Sequence, residues 1–309
     1  MERHRFLRSV ARCLYRIPGV KPFTRTVVRW VMQRGPLSLK NGQRLYNFFS
    51  QDVSPKRMVS CRVRVPRDGQ LNLSLDLRNE VCKLWYYWGY GYEKGVVRLY
   101  CELLKSKHTV FDVRANIGYY TMLICALLKA RGEVHAFEPY PAAFRLLSSN
   151  AGLNGFRNLH LNSSALSDQD GKEDLYLPFD DSWATSSLIK SYLEQKDSMP
   201  MEAVRFDTYC HKNRVGPVDL VKIDVEGGEL KVLKGMGALL DAWRPDIICE
   251  AVRPFDDILD EFFPNTPYCK FVITREGLVE AQRLKEYAHS RDYYLSCNPI
   301  PFASGGASC

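Results

Sequence analysis

The chain lacks any apolar run of the ~18 residues that a membrane span requires. Its best stretch, Ala115–Leu128, is uncharged but falls where an amphipathic helix belongs. The opening Met-Glu-Arg-His-Arg-Phe-Leu-Arg carries charge where a secretory leader needs an unbroken apolar core. Ten cysteines are present, yet none form a Cys-x-x-Cys pair. That speaks against a zinc cluster and for reduced thiols, so a cytoplasmic setting is expected and no metal ligands are assigned. Acids are almost missing from residues 1–35, where nine Arg or Lys meet only Glu2. This segment accounts for the formal charge of +8, so the rest is near neutral and a nucleic-acid partner is not expected.

What is present suffices for a full core: 309 residues with 46% apolar content. Four regions are expected: a basic helical extension over 1–60, a hairpin and aromatic lead-in over 61–104, a main domain over 105–300 and a short tail over 301–309. Residues 3–17 place Leu7, Val10, Ala11, Leu14 and Ile17 on one helical face, opposite Arg5, Arg8, Arg12 and Arg16. Such a helix serves either as a docking element with a solvated face or as a peripheral contact with an anionic membrane surface. Alternation over 61–77, broken at Pro66–Gly69, predicts a β-hairpin. The aromatic segment from Trp85 to Tyr92 reads as core or as the wall of a substrate pocket.

From Thr109 onward strands and helices alternate, which predicts an α/β, doubly wound parallel sheet. Strands are expected at Thr109–Val113, Glu133–Phe137, Leu159–Ser164, Val218–Ile223 and Asp246–Glu250. Helices are expected at Ile117–Lys129, Pro141–Leu153 and Glu226–Met236, with Lys270–Thr274 and Tyr293–Cys297 as a late antiparallel pair at one edge.

Ligands of such sheets bind beyond the carboxyl ends of the strands. Those ends carry Asp112 to Gly118, Glu138, Ser164-Ala165, Asp224 to Gly228, and Glu250. Four of the five hold a carboxylate, and Glu138 lies about 20 residues after Gly118, where a ribose needs one. A phosphate would instead call for amides and cations. The set therefore suits a cationic, phosphate-free nucleoside such as S-adenosylmethionine better than NAD. Each carboxylate has a structural alternative: Asp112 as a cap, Glu226 as a first-turn acid. Lys222 is a candidate buried ion pair, His135 a core histidine, and His211 a loop residue without a role.

Together Tyr92-Glu93, Phe137-Glu138-Pro139, Asn150, Asn154, Ala165-Leu-Ser-Asp168, Arg205-Phe-Asp-Thr208, Lys222-Ile-Asp-Val-Glu-Gly227 and Ile248-Cys-Glu250 resemble the FkbM family of S-adenosylmethionine-dependent methyltransferases over roughly residues 90–255. The resemblance implies a Rossmann-like, seven-stranded methyltransferase sheet with its last strand antiparallel, and methyl transfer usually to oxygen. It implies that Asp112, Ala115, Asn116 and Gly118 line the methionine end, that Glu138 takes the ribose hydroxyls, and that Ala165 approaches the adenine. Asp224 and Glu226 would lie nearest the transfer site, with a hydroxylated or carboxylated small molecule as acceptor.

The departure is Arg114, where the family pattern has glycine. If that position needs positive φ, a Cβ costs roughly 1–2 kcal/mol there. A catalytically impaired, methyltransferase-like binding protein is therefore the alternative, and an NAD-dependent oxidoreductase a disfavoured third. The polar loop around Asp180–Ser187 is read as an acceptor-pocket wall or a surface loop.

Overall fold

The computed structural model describes residues 58–67, 69–91, 93–178, 195–251, 255–263, 267–287 and 291–298. The expected basic helix over 3–17, the loop at 180–187 and the tail at 301–309 lie outside these residues. No helix among the described residues is long and apolar enough to cross a membrane.

The described residues fall into two units, 58–63 with 73–91, and 64–72 with 93 onward. The expected hairpin is present: β1 (Met58–Val65) pairs with β2 (Gly69–Asp76) across the turn at Pro66 and Arg67. In the first unit, Asn79 caps α1 (Glu80–Trp88) by accepting the Cys82 amide at 3.1 Å, and Gly89 at φ 56° ends it. Trp85, Tyr87 and Trp88 of this helix are buried, as the core reading of the aromatic segment predicts.

The second unit holds α2 (Lys94–Leu103) and then the main sheet. Its strands are β3 (Thr109–Val113), β4 (Glu133–Phe137), β5 (Leu159–Asn162), β9 (Leu220–Ile223), β10 (Asp246–Glu250), β11 (Cys269–Ile273), β12 (Leu278–Glu280) and β13 (Asp292–Ser296). They lie in the order β12-β11-β13-β10-β9-β3-β4-β5. Sheet and helices thus meet the α/β expectation, but the described strands number eight rather than seven. The addition is β12, a three-residue strand on the β11 edge. The late pair forms as expected: β11 and β13 run antiparallel at that edge, with β13 also antiparallel to β10. A second sheet, β6 (Ala165–Ser167), β8 (Gln195–Arg205) and β7 (Gly171–Pro178), was not foreseen.

Central strands are buried at nearly every position because both faces are covered. The covering helices are α3 (Tyr119–Leu128), α4 (Pro141–Asn154), α5 (Phe206–Asn213) and α6 (Glu229–Met236). Phe111, Phe137, Phe206, Val221, Val232, Leu233 and Met236 join one buried cluster. Each such side chain contributes about 1.5–3 kcal/mol on burial. Gly235 lets α6 approach β6, since a Cβ there would lie 2.0 Å from the Ser167 carbonyl oxygen. The chain runs outward from β3 to β5 on one side and from β9 to β10 on the other. The switch point therefore falls between β3 and β9, where Asp112 is opposite Lys222 and Val113 opposite Ile223.

Candidate functional site at the switch point

The turn leaving β3 is held by backbone geometry that few residues adopt. Arg114, Asn116 and Gly118 have φ of 62°, 52° and 93°. This is why α3 begins at Tyr119 and not at Ile117. The Ala115 amide donates to the Phe137 carbonyl at 2.8 Å, tying the turn to the end of β4. A Cβ on Gly118 would lie 2.8 Å from Leu147 Cδ1. Gly118→Ala is therefore expected to cost about 1–2 kcal/mol for the left-handed backbone and a similar amount for overpacking. A denaturant melt checks this, and an unchanged midpoint would refute it.

Glu138 is buried and spans this turn. Its Oε2 accepts the Asn116 amide at 2.7 Å and its Oε1 the Tyr140 amide at 2.8 Å. Burial pushes its pKa up, opposed by Arg114 and the two amides. Asn116 Oδ1 is buried without a hydrogen-bond partner among the described residues, an acceptor left over at the turn.

The turn leaving β9 has the same character. Glu226 and Gly227 have φ of 52° and 97°, so α6 starts at Glu229 and not at Glu226. Glu229, not Glu226, serves the helix start: its Oε1 accepts the Gly227 amide at 3.0 Å. Burial pushes Glu229 up to about 7.

Lys222 joins the two turns. Its Nζ lies 3.0 Å from Asp224 Oδ2, 3.5 Å from Asp112 Oδ1 and 3.4 Å from the Arg114 carbonyl oxygen. It also sits 5.5 Å from the Tyr120 ring centre. Burial lowers the lysine pKa, but Asp224 and Asp112 outweigh it and the net shift is upward. Asp112 is fully buried, and its Oδ2 accepts the Thr121 hydroxyl at 2.5 Å. Asp224 is held below its ordinary value: burial raises it, and Lys222 and Arg114 more than offset that.

Arg114 is 7% exposed, with Nη1 3.6 Å from Glu226 Oε1. It lines a narrow cleft of about 10 Å³ together with Val113, Pro139, Ala165, Leu166 and Val225. Residues that sequence reading drew from three separate strand ends thus meet at one place. That space holds about one water molecule, so a ligand enters only if lining side chains move.

Three more carboxylates belong to the same electrostatic neighbourhood. Glu250 ends β10 opposite Asp292, and Glu93 accepts the Tyr120 hydroxyl. Asp224, then burial, then Asp292 push Glu250 up to about 9. Burial, then Glu93 and Asp224, raise Asp292 to about 7. Glu93 and Asp292 carry no role in the sequence reading. The only local sign for Asp292 was its place at the head of a late strand.

A model of the methyltransferase FkbM domain matches residues 112–273, just over half of the chain. The chain belongs to this family. It is 31% identical over 144 residues to the hexuronic acid methyltransferase AglP of Haloferax volcanii, covering 47% of this chain and 56% of that protein. It is 29% identical over 160 residues to the 31-O-demethyl-FK506 methyltransferase FkbM of Streptomyces tacrolimicus, covering 43% of this chain and 61% of that one. The chain thus spans less than two thirds of either relative's length. Among solved structures, a methyltransferase FkbM from Methylobacillus flagellatus is 15% identical with a TM-score of 0.41, over 69% of this chain and 54% of that one.

Proposed function

We propose that this chain transfers a methyl group from S-adenosylmethionine to a hydroxyl or carboxylate oxygen of a sugar or natural-product-like small molecule. The observation that carries the reading is the gathering of Glu138, Asn116 and Asp224 around the β3–β9 switch point, with Asn116 Oδ1 buried and unpartnered among the described residues. The residues present fit an adenosyl donor. Each Glu138 oxygen keeps a lone pair after accepting one amide, which suits ribose hydroxyls. Ala165, Leu166 and Pro139 offer an apolar wall for a base. The two relatives, a hexuronic acid methyltransferase and a 31-O-demethyl-FK506 methyltransferase, support a sugar acid or an O-methylated natural product as acceptor class.

A bound donor supplies an electrophilic methyl carbon on a sulfonium. The protein's tasks are then to align the acceptor in line with that carbon and to exclude water. An alcohol acceptor needs a base within hydrogen-bond reach, and Asp224 or Glu226 takes that role. A carboxylate acceptor needs none.

One observation favours a second reading, a methyltransferase-like binding protein without turnover. The Arg114 guanidinium lines the cleft and acts electrostatically on both Glu138 and Asp224. A cationic donor meets that like charge and has to displace the side chain. Calorimetry with S-adenosylmethionine, S-adenosylhomocysteine and NAD, read beside transfer of a labelled methyl group to hydroxylated acceptors, distinguishes the readings, because the second has binding without transfer. The first two are expected to bind and NAD to fail, with Arg114→Gly tightening S-adenosylmethionine roughly tenfold, about 1.4 kcal/mol. Affinity unchanged by the substitution would remove the obstructive role of Arg114. Binding of NAD alone would overturn both methyltransferase readings.

A further inference from the structure

Away from the switch point, at the amino ends of β3 and β4, three separate segments each contribute cations. Arg67 stands in the turn after β1, Lys105 just after α2, and Lys129 and Arg131 between α3 and β4. The structure brings them to one pocket of about 380 Å³, lined also by Val65, Pro66 and Leu127. That volume is ordinary for a small-molecule site. No acid lines the pocket among the described residues. Glu102, in the last turn of α2, forms an ion pair with Lys105, which still leaves positive charge in excess.

Two of these cations also support the fold. Arg131 Nη2 donates to the Leu104 and Leu127 carbonyls, each at 2.9 Å, and its Nη1 to the Lys105 carbonyl at 3.2 Å. Arg67 Nη2 donates to the Cys101 carbonyl. These bonds close the carboxyl ends of α2 and α3. Neutral carbonyls leave the guanidinium charge in place, and each fork keeps further N–H donors, fixed before any ligand arrives. Lys129 has no comparable task. It is exposed and makes no ion pair among the described residues, yet it ends α3 at φ 53° and ψ −133°. That conformation lies close to one reserved for glycine. Arg67, at φ 65°, likewise holds a position that glycine takes with less strain. A long cationic side chain kept at such a position, in a pocket, points to a use for the side chain itself.

A second pocket of about 390 Å³ shares Gly69, Ala126 and Lys129 with the first and is walled by Leu71, Ala130 and Phe156. Cations therefore adjoin an apolar floor. We propose that Arg67, Lys105, Lys129 and Arg131 bind the phosphate group of a phosphate ester whose apolar part lies against Leu71, Ala126 and Phe156. A phosphate monoester has the several oxygens and the double charge that such a set can satisfy, and it matches the guanidinium forks. The same group is presented by a soluble ester or by a lipid headgroup. The pocket shares no residue with the donor cleft, so this inference stands apart from the proposed methyl transfer.

The test titrates the full chain with phenyl phosphate by calorimetry and sediments it with phosphatidylcholine vesicles that contain or lack phosphatidic acid. Saturable binding of phenyl phosphate identifies a soluble ester as sufficient. Sedimentation only with phosphatidic acid, without phenyl phosphate binding, identifies a lipid headgroup. Lys129→Gly and Arg67→Gly place glycine at positive φ, so the unfolding temperature is expected to hold or rise while binding weakens about tenfold. Lys105→Gln repeats the loss at a position without backbone strain. Lys172→Gln removes an exposed cation from β7, outside the pocket, and should leave binding unchanged. Failure of both probes, binding that survives Lys129→Gly and Lys105→Gln, or an equal loss in Lys172→Gln would overturn the site.

Discussion

Lys222→Met is expected to lower the free energy of unfolding by about 3–5 kcal/mol, the range seen when one partner of a buried ion pair is removed. Its ammonium stands within 4 Å of two carboxylates, 3.0 Å from Asp224 and 3.5 Å from Asp112. Asp112 has no exposure, and its Oδ1 has no hydrogen bond among the described residues, so Lys222 is its nearest compensation. Methionine fills a similar volume, which confines the effect to charge. The second variant that isolates the cause is Lys222→Met with Asp112→Asn, which should recover most of the loss. Urea melts of the three proteins decide it. A single variant as stable as the parent, or a double variant no better than the single, would remove Lys222 as the electrostatic keystone of the two turns.

The strands around this lysine were legible because burial on both faces writes them as short apolar runs. Thr109–Val113, Glu133–Phe137 and Asp246–Glu250 occur with the bounds that the sequence predicts. The starts of α3 and α6 were placed two or three residues too early. Ile117 and Glu226 read as helix residues, and nothing local shows how far tertiary contacts extend the positive-φ turns at Asn116 to Gly118 and at Glu226. The β6-β8-β7 sheet was invisible for a different reason: Ala165 pairs with Ala203, and no periodicity within either segment records that distance. Asp292 went unassigned on the same grounds, since it meets Glu250 only because β13 inserts between β10 and β11. At the candidate site, Asp112, Glu138 and Asp224 could be placed from strand ends alone. The balance of charge among them could not, because it depends on Lys222 and Arg114 reaching across from neighbouring elements.

Asp224→Asn is expected to reduce methyl transfer to a hydroxyl by roughly 10²–10⁴-fold, the usual worth of a positioned base. Transfer to a carboxylate should change far less, because that acceptor arrives already deprotonated. Lys222 and Arg114 keep Asp224 ionised and therefore ready to accept a proton, but they also make it a weak base. The neighbouring Glu250 and Asp292 have the opposite tuning, raised to about 9 and about 7. Glu250 therefore holds its own proton near neutral pH, whereas Asp292 is about half ionised there. Both acceptor types coexist on a hexuronic acid glycoside, and a labelled donor separates them. Methyl esters release their label in mild alkali, and methyl ethers retain it. Alkali-stable product should therefore vanish in Asp224→Asn while alkali-labile product persists. If the stable product survives there and disappears in Glu226→Gln, the base is Glu226, held at φ 52° beside Arg114. If it survives in both, neither carboxylate removes the proton.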